Sequence, residues 1–227
     1  MNVTLSDLVF LTSSSLLNVK NQMQFATLPP RTLYPSRETV DQMHGILRSS
    51  SCAVVGASLS LLGCRQAIDI CSHDVVIRVN HHKHRKQVCN RTDIQVVNAF
   101  ACLRQNLKCE RPRLFRLRTE WNGRFMAHYQ KDGAWLSSGF ITNFTRHVLT
   151  TKVRTKRCCN TAGGSAVAFA IYACRFITIF GLGNPNTGYL NNPNKTGPWT
   201  GDPVHNLRGE DEWYNTMKRD KRIVRKC

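Results

Sequence analysis

Short apolar blocks separated by polar and glycine-rich stretches run through most of the chain. Five of these blocks are strand candidates, at 52–56, 74–80, 94–98, 113–117 and 176–181. The first and the last are apolar runs typical of buried strands, and 74–80 has β-branched character. Between them, residues 57–68 and a stretch that opens with Thr161-Ala-Gly-Gly164 and runs to about Cys174 are typical of helices, and helical character resumes near His205. The pattern predicts strands that alternate with helices.

This alternation favours an α/β fold. We expect a single Rossmann-like domain whose sheet is mostly parallel and is covered by helices on both faces. Ligands of such folds bind where the strands end, and Gly56, Asn80 and Gly181 each end a predicted strand. The carboxyl ends of the strands are therefore the first place to look for a site.

Two stretches fall outside the alternating pattern. Residues 1–45 are broken by Pro29, Pro30 and Pro35, and are expected to form an arm with no well-determined structure, so that the core begins at Cys52 and the domain spans 46–227. Residues 183–203 are rich in Gly, Pro, Asn and Thr, which predicts a long loop that is either a binding segment or disordered.

The composition is that of a globular and strongly basic protein. Hydrophobic residues make up 41% of the 227 residues, and 32 Lys and Arg against 14 Asp and Glu give a formal net charge of +18. A nucleic acid, an anionic membrane surface and a phosphorylated substrate all fit this charge, and so does a solvated surface without a dedicated partner. No apolar run approaches the length of a membrane-spanning helix.

Cysteines and glycosylation sequons favour an oxidising compartment. The chain has ten cysteines but no Cys-x-x-Cys pair, so a structural zinc site is not expected, and four Asn-x-Ser/Thr sequons begin at Asn2, Asn90, Asn143 and Asn194. The N-terminal residues contain no well-formed secretion signal, because Asp7 interrupts the apolar stretch and no basic residue precedes Lys20.

Common catalytic motifs fail at identifiable residues. Ser60 takes the last glycine position of a hydrolase nucleophile elbow, and the stretch after Gly181 lacks the third glycine of a dinucleotide fingerprint. The chain contains neither a Gly-Lys-Ser/Thr phosphate loop nor an Asp-x-Asp motif. Two glycine turns beside helix starts remain, and their backbone N–H groups are natural seats for phosphate or carboxylate, although such turns are more often structural.

Four segments in order resemble the eukaryotic-type sialyltransferases. The stretch from Cys52-Ala-Val-Val-Gly56 to Arg78-Val-Asn80 resembles the large sialylmotif, and the stretch from Asn160-Thr-Ala-Gly163 to Gly181 resembles the small one. Gly188-Tyr189 stands at the place of the third motif, and His205 with Glu210 matches the His-x4-Glu pattern of the very short motif. The resemblance spans about residues 46 to 217 and implies the sialyltransferase variant of the GT-A-like fold.

The chain departs from the family pattern at five motif positions. The substituted positions are Ala57 for asparagine, Cys71 for aspartate, Asn160 for proline, Ala162 for threonine and Gly188 for histidine. Several of these changes touch the donor side, so donor identity follows less directly than family membership.

The resemblance implies a sialic acid transfer from a CMP-linked donor to a glycan on a glycoprotein or glycolipid. It assigns Ala57, through its backbone, and Asn80 to the nucleotide and phosphate, and Thr161, Ala162 and Gly163 to the sugar carboxylate. Gly183 and Tyr189 complete the donor site, where the Tyr189 hydroxyl replaces the missing third-motif histidine. Without the resemblance, Asn80 is as readily interpreted as a turn residue at a strand end.

The implied reaction inverts the anomeric carbon and uses neither a metal nor another cofactor. His205 is the general base, because an imidazole titrates near neutrality, and Glu210 supports it or caps the adjoining helix. The main alternative is a basic binding protein of the same fold that has lost turnover, given Gly188. A nucleic-acid-binding protein, for which only the charge argues, is the second alternative and is not expected.

The family also implies a disulfide and a location. It pairs the cysteines at the positions of Cys52 and Cys174, which we expect to flank neighbouring strands at the donor site. Family members act in the secretory pathway, which predicts the Golgi lumen and a membrane association through a segment not evident in this chain. The linkage formed, the acceptor sugar and the pairing of the other eight cysteines stay open.

Overall fold

The structure is a computed structural model that describes residues 37–63, 66–80, 88–97, 113, 115–118, 134–136, 161–182 and 207–226. Its strands are β1 Ser51–Val55, β2 Val75–Val79, β3 Ile94–Val97, β4 Phe115–Arg118, β5 Ala134–Leu136, β6 Phe176–Phe180 and β7 Val224–Lys226. Its helices are α1 Arg37–Leu47, α2 Ser60–Gly63, α3 Ala67–Ser72, α4 Ala162–Ala173 and α5 Leu207–Arg219.

The seven described strands form one parallel sheet in the order β5-β4-β3-β2-β1-β6-β7. The chain builds from β1 outward to β5 and then returns to the other side of β1 with β6 and β7. The order therefore reverses between β1 and β6, and the crevice at such a switch point is where open α/β sheets bind ligands.

Alternate residues of the strands feed two separate cores. Cys52, Val54, Ile77 and Ile179 face one core, which contains α4, the buried residues of α1 and Trp213 of α5. Strand residues of the opposite parity face a second core with α2 and α3, formed by Ala53, Val55, Val76, Phe180, Leu61 and Ile70. The predicted α/β fold, with a parallel sheet between two helical layers, is confirmed.

Helix α4 is apolar nearly all round, because it is covered on most sides. Its residues from Ala162 to Ala170 are all buried, and the alanines and glycines among them allow close contact with the sheet. The predicted strands at 52–56, 74–80, 94–98, 113–117 and 176–181 correspond to β1, β2, β3, β4 and β6. The short strands β5 and β7 were not predicted.

Two expectations for the first part of the chain are wrong. The core does not begin at Cys52, because α1 starts at Arg37 and contributes Met43 and Leu47 to the core, four residues apart on one helix face. The helix expected over 57–68 is instead two short helices, α2 and α3, and α2 ends at Gly63. The proposed division between an arm and a domain at residue 45 stays a prediction, although α1 crosses it.

The disulfide between Cys52 and Cys174 is present, with 6.1 Å between the two Cα atoms. Its expected place at the donor site is wrong: Cys52 is the second residue of β1 and Cys174 precedes β6, so the bridge lies where these strands begin. A second disulfide joins Cys71 of α3 to Cys89. In the described part of the chain, no helix is long and apolar enough to cross a membrane.

Candidate active site

The ends of three neighbouring strands and the start of one helix gather at the edge of the sheet where strands end, here called the carboxyl edge. Ala57 follows β1, Asn80 follows β2 and Gly181 follows β6. Helix α4 leads into the beginning of β6, so its own first residue, after Thr161, must lie at the carboxyl edge. The geometry thus brings together three of the segments that sequence reasoning assigned to the donor, those of Ala57, Asn80 and Thr161, beside the end of β6 at Gly181.

Gly56 allows the ends of β1 and β6 to approach at the switch point. Its N–H donates to the Phe180 carbonyl over 2.8 Å, and the Ser58 N–H donates to the Gly181 carbonyl over 3.3 Å. A Cβ on Gly56 would lie 2.2 Å from the Gly181 oxygen, which no real structure tolerates. Any larger residue at 56 would push apart the two strand ends that bound the crevice, with Ala57 half-buried beside it.

Helix α4 begins with a side-chain cap. Thr161 has extended backbone angles and its hydroxyl oxygen accepts from the Gly164 N–H over 3.0 Å, as an N-cap residue does. The first turn then presents the N–H groups of Ala162 and Gly163 at the positive end of the helix dipole. These two groups are the backbone donors that the sequence assigned to a carboxylate.

Glu210 holds the start of α4 from the neighbouring helix α5. Glu210 is buried, with only 4% of its surface exposed. Its carboxylate accepts one hydrogen bond from the Thr161 N–H over 2.5 Å and one from the Thr161 hydroxyl over 2.6 Å. A Cβ on Gly164 would lie 2.7 Å from the same carboxylate. In the structure Glu210 fixes Thr161, and its expected support of His205 stays a prediction.

This contact changes the expectation for Thr161. Both of its donors, the N–H and the hydroxyl proton, point to Glu210 and are not directed toward a ligand. Ala162 and Gly163 remain as the donors of this turn, and Thr161 contributes by being held in place.

Tyr214, one helical turn after Glu210, completes the cluster. Its hydroxyl donates to the Glu210 carboxylate over 3.2 Å, and the side chain is buried. Burial, followed by the Glu210 charge and this hydrogen bond, raises the pKa of Tyr214 well above its ordinary value. The phenol therefore stays protonated and remains a donor at neutral pH. Sequence reasoning missed Tyr214, because nothing but its i+4 spacing from Glu210 marks it.

Asn80 ends β2 with a left-handed backbone, at φ 57°. Its N–H donates to the Val96 carbonyl over 2.8 Å, and its carbonyl accepts from the Gln95 side chain over 2.9 Å. Asparagine tolerates this conformation better than most residues, so the structural interpretation accounts for the backbone. The half-buried side chain lies at the carboxyl edge, and its contact with a nucleotide stays a prediction.

Arg78 is a motif residue whose role is structural in this arrangement. It is fully buried, and its guanidinium donates to the Cys89 carbonyl over 2.8 Å, to the Arg91 carbonyl over 3.0 Å and to the Thr92 hydroxyl over 3.1 Å. Together with the Cys71–Cys89 disulfide it fixes the segment that leads into β3. A charged residue inside the otherwise apolar strand 75–79 was the available signal for this role.

His73 and Asp74, also in the large motif, lie where the strands begin, far from the donor residues. One ring nitrogen of His73 contacts the Asp69 carbonyl over 2.8 Å and the other the Thr178 hydroxyl over 3.0 Å. The Asp74 carboxylate accepts from the N–H and the hydroxyl of Ser51, and these bonds lower its pKa. This part of the motif ties β1, β2 and β6 together.

Several expected site residues lie outside the described residues, namely His205, Gly183, Gly188 and Tyr189. His205 precedes the first residue of α5 by two positions, and α5 brings Glu210 to the start of α4. Within the described residues, no group of three His, Cys, Asp or Glu side chains is placed to hold a metal ion.

Comparison with known proteins identifies a family and a fold. The model of the family "Glycosyltransferase family 29 (sialyltransferase)" matches residues 3–158. No curated protein matches the chain. The match does not single out individual motifs, and the predicted small, third and very short motifs follow residue 158, so all four motif assignments stay predictions.

Two solved structures show the same fold across nearly the whole chain. A mammalian sialyltransferase superposes with a TM-score of 0.66 at 14% identity, covering 98% of this chain and 91% of that one. A mammalian sialyltransferase in complex with Gal-beta-1-3GalNAc-ortho-nitrophenol gives a TM-score of 0.59 at 13% identity, covering 95% and 85%. On the family match over more than half of its length, the chain belongs to glycosyltransferase family 29, the sialyltransferases.

Proposed function

We propose that this sialyltransferase transfers sialic acid from CMP-sialic acid to a hydroxyl group of a glycan acceptor, with inversion and without a metal ion. The observation that carries the proposal is the start of α4, fixed by Glu210 beside the β1–β6 switch point. Such a fixed helix start suits an anionic sugar, since its N–H groups and its dipole both favour negative charge.

The donor has two anionic groups, and the carboxyl edge offers a place for each. The N–H groups of Ala162 and Gly163 bind the sugar carboxylate, while Thr161 is held by Glu210. The nucleotide and its phosphate lie over the ends of β1 and β2, at the Ala57 backbone and the Asn80 side chain. Gly183 and the Tyr189 hydroxyl complete the phosphate side of the site.

In the proposed reaction the acceptor hydroxyl attacks the anomeric carbon from the face opposite the phosphate. The new carbon–oxygen bond forms as the bond to the phosphate oxygen breaks, and CMP leaves with that electron pair. The hydroxyl proton passes to His205, which acts as the general base. The oxocarbenium character of the transition state is stabilised by the departing phosphate, and Tyr189 donates to that phosphate in place of the family histidine.

The acceptor is a glycan carried by a glycoprotein or a glycolipid in the secretory pathway, with the Golgi lumen as the proposed location. One sialyltransferase of this fold is in complex with a Gal-beta-1-3GalNAc derivative, which makes that disaccharide the first acceptor to test. The two disulfides among the described residues fit an oxidising compartment.

The test is a transfer assay with CMP-sialic acid over a panel of glycan acceptors, with and without EDTA. We expect transfer that EDTA does not abolish. In His205→Ala, turnover should fall by about 10²–10⁴ while CMP affinity changes little, because the base acts on the acceptor. Near-normal turnover in that variant would remove His205 from the mechanism.

Two outcomes would redirect the proposal. A wild-type chain that binds CMP and never transfers sialic acid would favour the alternative of a binding protein without turnover. Loss of activity in EDTA with recovery in Mn²⁺ would contradict the metal-free mechanism.

A further inference from the structure

A group of cations lies at the edge of the sheet where strands begin, opposite the donor residues. These cations occupy the connections into three neighbouring strands, β1, β6 and β7, and the last turn of α5. Adjacent strands lie about 4.8 Å apart, so the three connections span roughly 10 Å. The Arg175 N–H donates to the Ser50 carbonyl over 3.1 Å, so the connections into β1 and β6 are in direct contact. We name this group the basic edge; it consists of Arg48, Arg175, Lys218, Arg219, Lys221 and Arg222.

Among the described residues, no carboxylate forms an ion pair with the basic edge. All six side chains are exposed, and none of them forms an ion pair with another described residue. Asp220 is the carboxylate within the same stretch of chain, and Asp74, at the start of the next strand, is bound to Ser51. The six positive charges of the basic edge are therefore exposed to solvent.

Large apolar side chains stand among these cations. Ile46 is 49% exposed, Phe176 is 61% exposed and Val224 is 52% exposed, and they belong to α1, β6 and β7 at the same edge. The Arg175 guanidinium lies 5.0 Å from the centre of the Phe176 ring. A basic surface that served only solubility would not need exposed phenylalanine, isoleucine and valine between its charges.

We propose that the basic edge is a docking surface for a membrane whose lipid headgroups are anionic. The cations would meet the headgroup charges while Phe176, Ile46 and Val224 enter the apolar boundary below them. A strand of five residues is about 17 Å long, so the carboxyl edge would face away from the lipid and stay open to substrates. A soluble polyanion, such as a nucleic acid or a sulfated glycan, would use the cations but would leave the apolar side chains without a role.

The experiment measures co-sedimentation of the full chain with phosphatidylcholine vesicles that contain or lack phosphatidylserine. We expect binding only to the anionic vesicles. Lys221→Glu and Arg175→Glu should each weaken it at least about fivefold, the value expected for one cation at such a surface. Phe176→Ser, which changes no charge, should weaken it several-fold through lost insertion.

Two controls match these variants. Arg208→Glu reverses an exposed cation at the other end of α5, and Ile68→Ser removes an apolar side chain of α3 that is 86% exposed. Both should bind the anionic vesicles like wild type, and circular dichroism should show every variant folded. Equal losses in the controls, or no vesicle binding by wild type, would overturn the proposal. Binding that Phe176→Ser leaves unchanged and that heparin displaces would overturn it in favour of a soluble polyanion.

Discussion

Glu210 is a buried carboxylate whose charge is stabilised by its position. Moving a charged group out of water is unfavourable unless hydrogen bonds replace the lost hydration. Here the Thr161 N–H, the Thr161 hydroxyl and the Tyr214 hydroxyl all donate to the carboxylate, which also lies at the positive end of the α4 dipole. These donors explain how α5 and α4 are joined through a charge in addition to the apolar core that they share.

The first prediction concerns the Glu210→Gln variant. The amide group brings N–H donors to a place where three donors already converge, so at least one of them loses its acceptor. We expect the free energy of unfolding to fall by about 1–3 kcal/mol. We also expect the KM for the sialic acid donor to rise, since the Ala162–Gly163 turn would no longer be fixed. Denaturant unfolding and steady-state kinetics measure the two effects.

Glu212→Gln is the matched control, because it makes the same chemical change two residues further along α5. The Glu212 side chain is 42% exposed and pairs with Arg208 on the surface, and such pairs contribute little, about 0–1 kcal/mol. If both variants lost the same stability and activity, the special role of the buried carboxylate would be refuted.

The second prediction is a pH dependence that Tyr214 creates. The pKa of Tyr214 is raised in the folded chain, mainly by burial, so above its ordinary value of about 10 the unfolded chain loses this proton while the folded chain keeps it. The stability contributed by Tyr214 is therefore complete below pH 10 and is lost as the pH rises toward the folded pKa. Its slope is at most about 1.4 kcal/mol per pH unit.

Comparison with Tyr214→Phe isolates this effect from the other groups that titrate at high pH. The stability difference between wild type and variant should shrink between about pH 10 and pH 11, as measured by urea unfolding. A difference that stays constant over this range would show that the phenol titrates equally in the folded and unfolded chains.

At the scale of single residues, the sequence indicated which residues have a functional role better than it indicated which residues are in contact. Glu210, Thr161 and Asn80 stand out by motif resemblance, yet the contact between Glu210 and Thr161 joins residues 49 positions apart, which no local pattern reveals. Cys89 shows the same limit: its left-handed backbone, at φ 69°, and its bond to Cys71 depend on the loop that Arg78 holds.

Among the secondary-structure elements, the apolar strands in the centre of the sheet were predictable and the edges were not. β1, β2 and β3 are buried on both faces, and β6 is so beyond its exposed first residue and the half-buried Thr178, so these strands appear as mostly apolar runs. β5 and β7 are three residues long and contain too few residues for a period to appear. Helix α1 was missed because most of its residues are polar; Met43 and Leu47 are the buried residues among those whose side chains are described.

The third prediction concerns how much the disulfide of helix α3 contributes to the stability of the fold. Cys71–Cys89 joins α3 to the segment before β3 across 18 residues. In the chain-entropy model a loop of this size is worth on the order of 3 kcal/mol. The Cys71→Ser/Cys89→Ser variant should lose about that much unfolding free energy. Guanidinium unfolding without reductant makes the measurement.

Mild reduction of the wild-type chain is the control for this variant. Cys71 is exposed, whereas Cys52 of the other disulfide is fully buried, so thiols should reach Cys71–Cys89 first. Alkylation followed by peptide mass spectrometry should find Cys71 and Cys89 modified before Cys52 and Cys174. The opposite order would mean that exposure does not control access to these bonds.

For the whole molecule, the strand order explains why sequence reasoning could place a site and still leave it incomplete. Parallel strands all end at one edge, so residues after β1, β2 and β6 had to meet there, as Ala57, Asn80 and Gly181 do. The local pattern does not contain the long-range pairing that decides which strands are neighbours. It therefore could not show that the switch point lies between β1 and β6. The base His205 and the phosphate-side residues Gly183 and Tyr189 stay predictions from resemblance.

The last prediction uses the net charge of the whole molecule. With a charge of +18 and a proposed donor, CMP-sialic acid, that carries a phosphate and a carboxylate, we expect the donor KM to rise several-fold with salt. The range to measure is from about 0.01 M to about 0.15 M ionic strength, where the Debye length falls from about 30 Å to about 8 Å. The KM of a neutral glycan acceptor should not change, which controls for an effect on the fold.

Lys221→Glu at the basic edge, about 17 Å from the carboxyl edge, should leave the donor KM unchanged at the higher salt, because the intervening distance exceeds the screening length. A donor KM that did not change with ionic strength would show that the positive net charge of this protein serves a purpose other than attracting its donor.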